Sequence, residues 1–232
     1  MVESAVALLN EALGLFRKVG DRMSEASCLN SLGIVARNQN DLDRAEELLS
    51  QSASIRREIG DQAGTAGSLD NLGIVAVDRG DLDRAQRLFE ESITIDRARG
   101  DEWGVACALG SLGVVHLERG KLEEAHTAVE RALRTFDRIG DLDGAVETME
   151  ALAGVDAAAG RSLRAARLGG AIDAIRRRVG IPLSPVDRIH WERWLERPRR
   201  ELGDDFEGAW AEGTEMTTEQ AISYALGEST LK

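Results

Sequence analysis

The sequence is poor in the residues that several common protein types depend on. Two cysteines, Cys28 and Cys107, in 232 residues cannot make a disulfide framework, and lone thiols point to a reducing cytoplasm. Only 3 prolines and few serine- or threonine-rich patches leave little room for a disordered linker. Aromatic residues make up 4% of the chain, so the core must be built from Leu, Ile, Val and Ala. Such a core suits closely packed helices better than a β-sandwich, which leans on β-branched and aromatic side chains. No apolar run approaches the ~18 residues that span a bilayer. The opening MVESAVALLNEALG carries an early acid and no cleavage site, so no secretory signal is read there. A soluble, cytoplasmic protein with no membrane contact is expected.

Positive charge is scarce as well. The net charge of −12 argues against direct nucleic-acid or anionic-membrane binding by the chain as a whole. The distribution is uneven, however. Residues 161–200 hold eleven arginines against four acids, a net +7, and residues 201–232 swing back with eight acids and one lysine. Two readings stand for that block: neutralisation within the C-terminal segment, or a docking face for an acidic partner.

What the chain has in abundance is repetition. LNSLGIVARNQNDLDRAEELL at residues 29–49 returns forty residues later as LDNLGIVAVDRGDLDRAQRLF, and forty later again as LGSLGVVHLERGKLEEAHTAV. Gly20, Gly60, Gly100, Gly140 and Gly180 share one register, and Asp21, Asp61, Asp101 and Asp141 follow the first four. Glycine accepts the left-handed conformation that ends a helix, and aspartate caps the next one by accepting its free N–H groups. A second stop-and-start signal sits midway through each period, at Asn40-Asp41, Gly80-Asp81, Gly120-Lys121 and Gly160-Arg161. Each period therefore reads as two helices of roughly 17 residues, about 25 Å long, joined by very short turns.

Within the first helix of each period a Leu-Gly pair recurs at Leu32-Gly33, Leu72-Gly73 and Leu112-Gly113, weakened to Leu152-Ala153. The second helix repeats an alanine at Ala45, Ala85, Ala125 and Ala165. Small residues at these points let two helix backbones approach, and Leu29, Leu42, Leu48, Leu49 and their repeat mates fill the space around the contact. Small and large positions in this order resemble the tetratricopeptide repeat, in a 40-residue variant of the usual unit of about 34. The resemblance covers residues 1–180 and is closest to the long repeats of spindle-orientation adaptors and bacterial signalling regulators. Two departures stand out: Leu29, Leu69, Leu109, Ala36 and Ala76 replace the usual first-helix aromatics, and the repeat-end proline is missing. The resemblance implies an all-α, right-handed tetratricopeptide-type superhelix of helix–turn–helix repeats with a C-terminal helical cap.

The expected division is a lone second helix at 1–20, repeats at 21–60, 61–100, 101–140 and 141–180, and a capping segment at 181–232. Residues 5–20 align with a second helix, Ala5 standing on the Ala45 register. Without its first helix, such an end exposes an apolar face. The expectation is a longer parent polypeptide, with a dimer through that uncapped end as the alternative. In the last segment Ser184-Pro185 starts a helix, Pro198 should end or kink it, and short helices follow over 204–212 and after Thr217 or Thr218. Trp191, Trp194 and Trp210 are read as core. The stretches AARLGGAIDAIRRRVGIPLSP and LGDDFEGAWAEGTEMTTEQAISYAL resemble the extreme C-terminus of large actinobacterial multidomain transcriptional and signalling regulators. In those proteins an output domain and a signalling ATPase precede a repeat array, which implies a sensor or scaffold role for this chain.

No catalytic constellation is legible, so the chain is read as non-enzymatic. His116, His126 and His190 share no metal-ligand spacing with each other or with the cysteines. The stretch ARLGGAID around Gly169-Gly170 lacks the Lys-Ser/Thr of a phosphate loop and falls within a helix, where a helix–helix contact accounts for it better. No metal or cofactor is expected.

Function then falls to the concave wall, which the resemblance assigns to the first helices. With the Leu-Gly pair as register, Ile34, Ile74 and Val114 face that wall, flanked by Asn30, Asp70 and Asn71, with Arg37, Asp78 and Glu118 further along. Positions that carry lysine, arginine and asparagine in carboxylate-clamp arrays are here Ser27, Gly67, Cys107, Glu147 and Glu150. An apolar ladder with an acidic border suits a helix or extended peptide bearing basic residues. The expected partner is a protein or peptide, including upstream domains of the same polypeptide. The alternatives are a free-standing adaptor and a sensor for a signalling peptide or small molecule.

Overall fold

The computed structural model describes residues 2–180 and 182–228. Met1, Ile181 and residues 229–232, at the edges of the expected 1–20 and 181–232 segments, lie outside the described residues. Those described form twelve helices and no strand: α1 (Val2–Val19), α2 (Arg22–Asn38), α3 (Leu42–Glu58), α4 (Gln62–Asp78), α5 (Leu82–Arg99), α6 (Glu102–Glu118), α7 (Leu122–Ile139), α8 (Leu142–Ala158), α9 (Ser162–Val179), α10 (Pro185–Leu202), α11 (Asp205–Thr214) and α12 (Thr218–Ala225). The described residues up to Ala108 form one compact unit and those from Leu109 onward a second.

The turn chemistry is local and repetitive. Asp21, Asp41, Asp61, Asp81, Asp101 and Asp141 each accept a hydrogen bond from the backbone N–H three residues on, at 2.9–3.2 Å. Such a cap contributes about 1 kcal/mol to its helix. Lys121 and Arg161 stand at the same point and supply no side-chain cap. The preceding turn residue is left-handed throughout α1–α9, and where glycine is replaced, at Asn40, φ is still 61°. Asparagine is among the few residues that tolerate this conformation.

In the first unit, α2 and α3 pair, as do α3 and α4, and α4 and α5. Leu29, Leu32, Leu48, Leu49 and Ile55 close one cluster with Leu13 of α1 and with Leu72 and Val75 of α4. The Leu-Gly glycines admit a partner side chain as well as a backbone. A Cβ on Gly33 would stand 2.6 Å from Leu49 Cγ, and one on Gly73 2.5 Å from Phe89 Cε1. Backbone is also near, with Ala45 O 3.4 Å from the same Gly33 position. A second small position, unread in the sequence, lies at Gly64 and Gly104. Each glycine sits under a side chain from the preceding second helix, Arg56 and Asp96 respectively.

In the second unit α7, α8 and α9 pack in sequence, with Phe136 seated over Gly144 and with Met149, Leu152, Leu168 and Ile172 fully buried. Here two helix backbones do touch. A Cβ on Gly170 would meet the Trp210 carbonyl oxygen at 2.0 Å, and one on Gly213 the Arg167 carbonyl oxygen at 1.9 Å. The Gly169-Gly170 pair is thus the crossing point of α9 and α11. Asp156, wholly buried, receives Arg161 at 2.7 Å and Arg164 at 2.8 Å, and Arg164 also donates to the Tyr224 and Ala225 carbonyls at 3.0 and 2.5 Å. This chain of bonds ties α12 to α8 and α9.

Pro198 does not end its helix, since α10 continues to Leu202. The ring costs the Trp194 carbonyl its helical donor, but Pro198 is buried on the same face as Trp191 and Leu195. Burial of that face keeps the helix whole.

Candidate functional site

Asn30, Ile34 and Arg37 stand on α2, and Asp70, Asn71, Ile74 and Asp78 on α4, all in the first unit. The +41 register joins the two helices side by side. Asn71 Nδ2 donates to Asn30 Oδ1 at 3.2 Å, and Arg37 donates from Nε and Nη2 to Asp78 at 2.6 and 3.3 Å. Behind Asn30 runs a polar seam in which Ser52 donates to the Ala26 carbonyl at 2.8 Å and the single Ser68 hydroxyl proton is shared between Ser52 Oγ at 3.1 Å and Asn30 Oδ1 at 3.4 Å. Arg37 and Asp78 are 15% and 4% exposed, so their charges serve each other. Ile34 is 37% exposed and Ile74 is half-buried, which leaves apolar surface between polar pairs that are already bonded.

Asp70 stands where the preceding repeat has Asn30, and its surroundings differ. Ser92 repeats Ser52, but Asp96 replaces Arg56 and Ala108 replaces Ser68. Asp70 Oδ1 and Ser92 Oγ are both buried without a hydrogen-bond partner. Burial pushes the Asp70 carboxyl up to about 7; the neighbouring Ser92 hydroxyl pulls it down, and the Asp96 charge adds to the rise. Burial also raises Asp96, with Asp101 adding to the rise, while Arg99 at 2.6 Å pulls it back.

The sign of the resulting pH dependence follows directly. Folded Asp70 keeps its proton to about 7, whereas an unfolded aspartate releases it near 3.8. Between those values the folded state binds more protons, so stability falls as pH rises through the window and the loss is complete above it. Asp70→Asn, which copies Asn30, is expected to raise stability at pH 8 by about 1–2 kcal/mol and to leave it nearly unchanged at pH 4. Thermal melts at the two pH values check this.

Val114 and Glu118 belong to the second unit. Val114 is half-buried, and Glu118 accepts an ion-pair hydrogen bond from Arg193 of α10. On the forty-residue register the ladder position runs Ile34, Ile74, Val114 and then Gly154. Gly154 lies under Trp194, whose ring carbon Cδ2 would stand 2.8 Å from an added Cβ. Trp194 is half-buried and packs with Leu117 and Val155. Arg197 donates to the Ala158 carbonyl at 2.8 Å, at the end of the same helix. Sequence reasoning placed Trp194 in the core and missed this seat, although the break from Ile, Ile, Val to Gly was its signal. Glu150, also on α8, is buried and bonded to Arg176 at 2.5 Å; burial still pushes its carboxyl up to about 7.

Among the described residues no group of His, Cys, Asp or Glu side chains is arranged to hold a metal ion, and no helix is long and apolar enough to cross a membrane.

Comparison with known proteins agrees with this geometry. The tetratricopeptide repeat model matches residues 2–58, 38–98 and 61–138, which together run over more than half of the chain. The chain belongs to the tetratricopeptide-repeat family. Its repeats generally mediate protein–protein contacts, and proteins built from them are typically non-catalytic scaffolds. Among solved structures it is similar to BtubC (BKLC) from P. vanneervenii, with a TM-score of 0.64 at 19% identity over 100% of this chain and 94% of that one. It is also similar to a candidate kinesin light chain of Podosopora anserina with nearly identical TPR-like repeats, with a TM-score of 0.57 at 16% identity over 89% of this chain and 99% of that one. At these identities the likeness is one of fold. No curated protein matches the sequence.

Proposed function

We propose that this chain is the scaffold or sensor region of a bacterial signalling or transcriptional regulator, and that the α2–α4 wall of its first unit binds an amphipathic helix from a protein partner. The binding contacts are Ile34 and Ile74, with Asn30, Asn71 and Asp70 around them and the Arg37–Asp78 pair as a rigid end. The repeat divisions 21–60, 61–100, 101–140 and 141–180 are its working units. The regulator setting draws its support from the C-terminal resemblance in LGDDFEGAWAEGTEMTTEQAISYAL.

One observation carries the binding reading. First-helix surface in the second unit, at Leu117, Glu118, Gly154 and Ala158, is occupied by an amphipathic helix, α10, which presents Trp194, Arg193 and Arg197 to it. A wall of this design accepts a helix through one large apolar anchor and flanking arginines, the helix-in-groove mode of recognition.

The test is selection of peptides from a random library on the full chain. The expected winners are amphipathic, arginine-bearing sequences with an aromatic or large aliphatic anchor. Their affinity should fall by about tenfold or more, roughly 1.4 kcal/mol, in the double variant Ile34→Asp, Ile74→Asp, with the melting temperature preserved. Winners that are acidic, or that bind this variant as well as the parent, would contradict the proposal.

A further inference from the structure

We infer that α10 is a tethered ligand of the second unit's inner wall, holding a seat that a partner helix of the same chemistry takes when α10 is displaced. The inference rests on the reading of that wall as a helix-binding surface. It adds the identity of the anchor, the residue that admits it and the competition between chain and partner.

The seat is built around an absence of side chain. At the ladder position three repeats carry Ile34, Ile74 and Val114, and the fourth carries Gly154. Any side chain there would run into Trp194, with Cβ 2.8 Å from Cδ2 and 3.0 Å from Cε3 of the indole. Contacts under 3.0 Å are not accommodated without movement, and the indole is rigid. Glycine in the middle of a helix costs about 1 kcal/mol relative to alanine, so Gly154 is a loss to α8 that seating an indole offsets. The rest of the seat is directional. Glu118 takes Arg193, and the Ala158 carbonyl, left without a helical donor at the end of α8, takes Arg197. Anchor and arginines together read as Arg-Trp followed three residues later by Arg. A partner's helix needs that triad on one face to compete.

The attachments of α10 differ from those of its neighbours. Helix α11 is locked to α9 by backbone contacts at Gly170 and Gly213, and α12 is held by the buried Asp156–Arg164 connection. Neither lock involves α10. Its C-terminal end is a glycine of positive φ, Gly203 at 55° with ψ −123°, where chain direction changes without strain on a side chain. Its ion pairs with the wall are solvent-facing, Arg193 being 49% and Glu118 21% exposed, and exposed pairs contribute little. Pro198 removes one of its own helical bonds. Its leftover apolar surface, Ile189 at 64% exposure, faces away from the seat. Helix α10 is held by neither of those two locks; what displacement must break is the burial of Trp191 and Leu195 and the Ser162–Glu201 bond to α9 at 2.5 Å.

The test uses the full chain and a fluorescein-labelled synthetic peptide, PVDRIHWERWLERPRREL, spanning residues 185–202. The variant Arg193→Glu, Trp194→Ala vacates the seat and leaves the wall intact. It should bind the peptide saturably and about tenfold or more tighter than the parent chain, and addition of Gly154→Ile should abolish that binding. Gly154→Ile alone, with α10 unaltered, should open α10 to trypsin while the α11 and α12 amides keep their protection from hydrogen exchange. The inference is overturned if the vacated variant binds the peptide no better than the parent, if Gly154→Ile leaves the binding intact, or if vacating the seat melts α7–α9 along with α10. Library peptides that still depend on Ile34 and Ile74 would then leave the first-unit wall standing, so failure here is distinguishable from failure of the proposed function.

Discussion

Gly170→Ala is expected to undock α11 from α9, although it adds a single methyl group. The added carbon would lie 2.0 Å from the Trp210 carbonyl oxygen, with the Trp210 carbonyl carbon at 2.9 Å. The obstacle is backbone, which cannot rotate away as a side chain does. Reciprocal contact at Gly213, 1.9 Å from the Arg167 carbonyl, means that the two helices cannot slide to relieve it. Overpacking costs about 1–3 kcal/mol when neighbours give way, and the upper end applies here. The melting temperature should fall by roughly 10 °C for a unit of this size. Gly208→Ala is the internal control. It lies on the same α11 with nothing within 4 Å of its added Cβ, and should stabilise the helix by up to about 1 kcal/mol. If calorimetry found Gly170→Ala as stable as Gly208→Ala, the close crossing of α9 and α11 would be wrong.

The second large effect is expected at Asp156. This carboxylate is completely buried and holds two guanidinium groups, those of Arg161 and Arg164. Arg164 in turn spans to the last carbonyls of α12 and lies over the Tyr224 ring at 5.7 Å. Removing one partner of a buried pair leaves the other charge uncompensated, which typically costs about 3–5 kcal/mol. Arg161 is 45% exposed and Arg164 22%, so water recovers part of the loss and about 3 kcal/mol is expected for Asp156→Ala. The loss should be local as well as global. Hydrogen exchange of the α12 amides should quicken in this variant before that of α7 does. The double variant Asp156→Ala, Arg164→Met should be less destabilised than the sum of its parts, because residues in one buried network couple. Strict additivity would mean that Arg164 holds α12 without help from Asp156.

The turns were readable because their chemistry is local. A left-handed residue followed by a capping carboxylate needs no knowledge of the rest of the molecule, and the two weak caps, Lys121 and Arg161, could be picked out from residue type alone. The closeness of the helices was readable from Gly33, Gly73 and Ala45, but the identity of what fills the glycine notch was not. Leu49 and Phe89 reach it from sixteen residues away on another helix. Pro198 does not end its helix, because burial of Trp191, Leu195 and the ring itself outweighs local propensity. The expected inner-wall register rests on the Leu-Gly pair. The bonding of Arg37 to Asp78, of Asn30 to Asn71 and of Glu118 to Arg193 joins residues between 41 and 75 apart, and no sequence window contains both partners. Gly154 and Trp194 belong to the same class. The glycine was visible as a break in a ladder, and only the three-dimensional arrangement supplies its occupant.

The inner wall of α2 and α4 as the binding surface is the claim on which the functional account depends, and the position of a bound peptide tests it most directly. A peptide selected on the full chain, with a photoreactive residue in place of its apolar anchor, should form its adduct with α2 or α4 at or beside Ile34 and Ile74. Mass spectrometry of the digest locates the bond. Adducts confined to the opposite helices α3 and α5, for example around Arg87, would contradict the account and move the binding surface to the outer face.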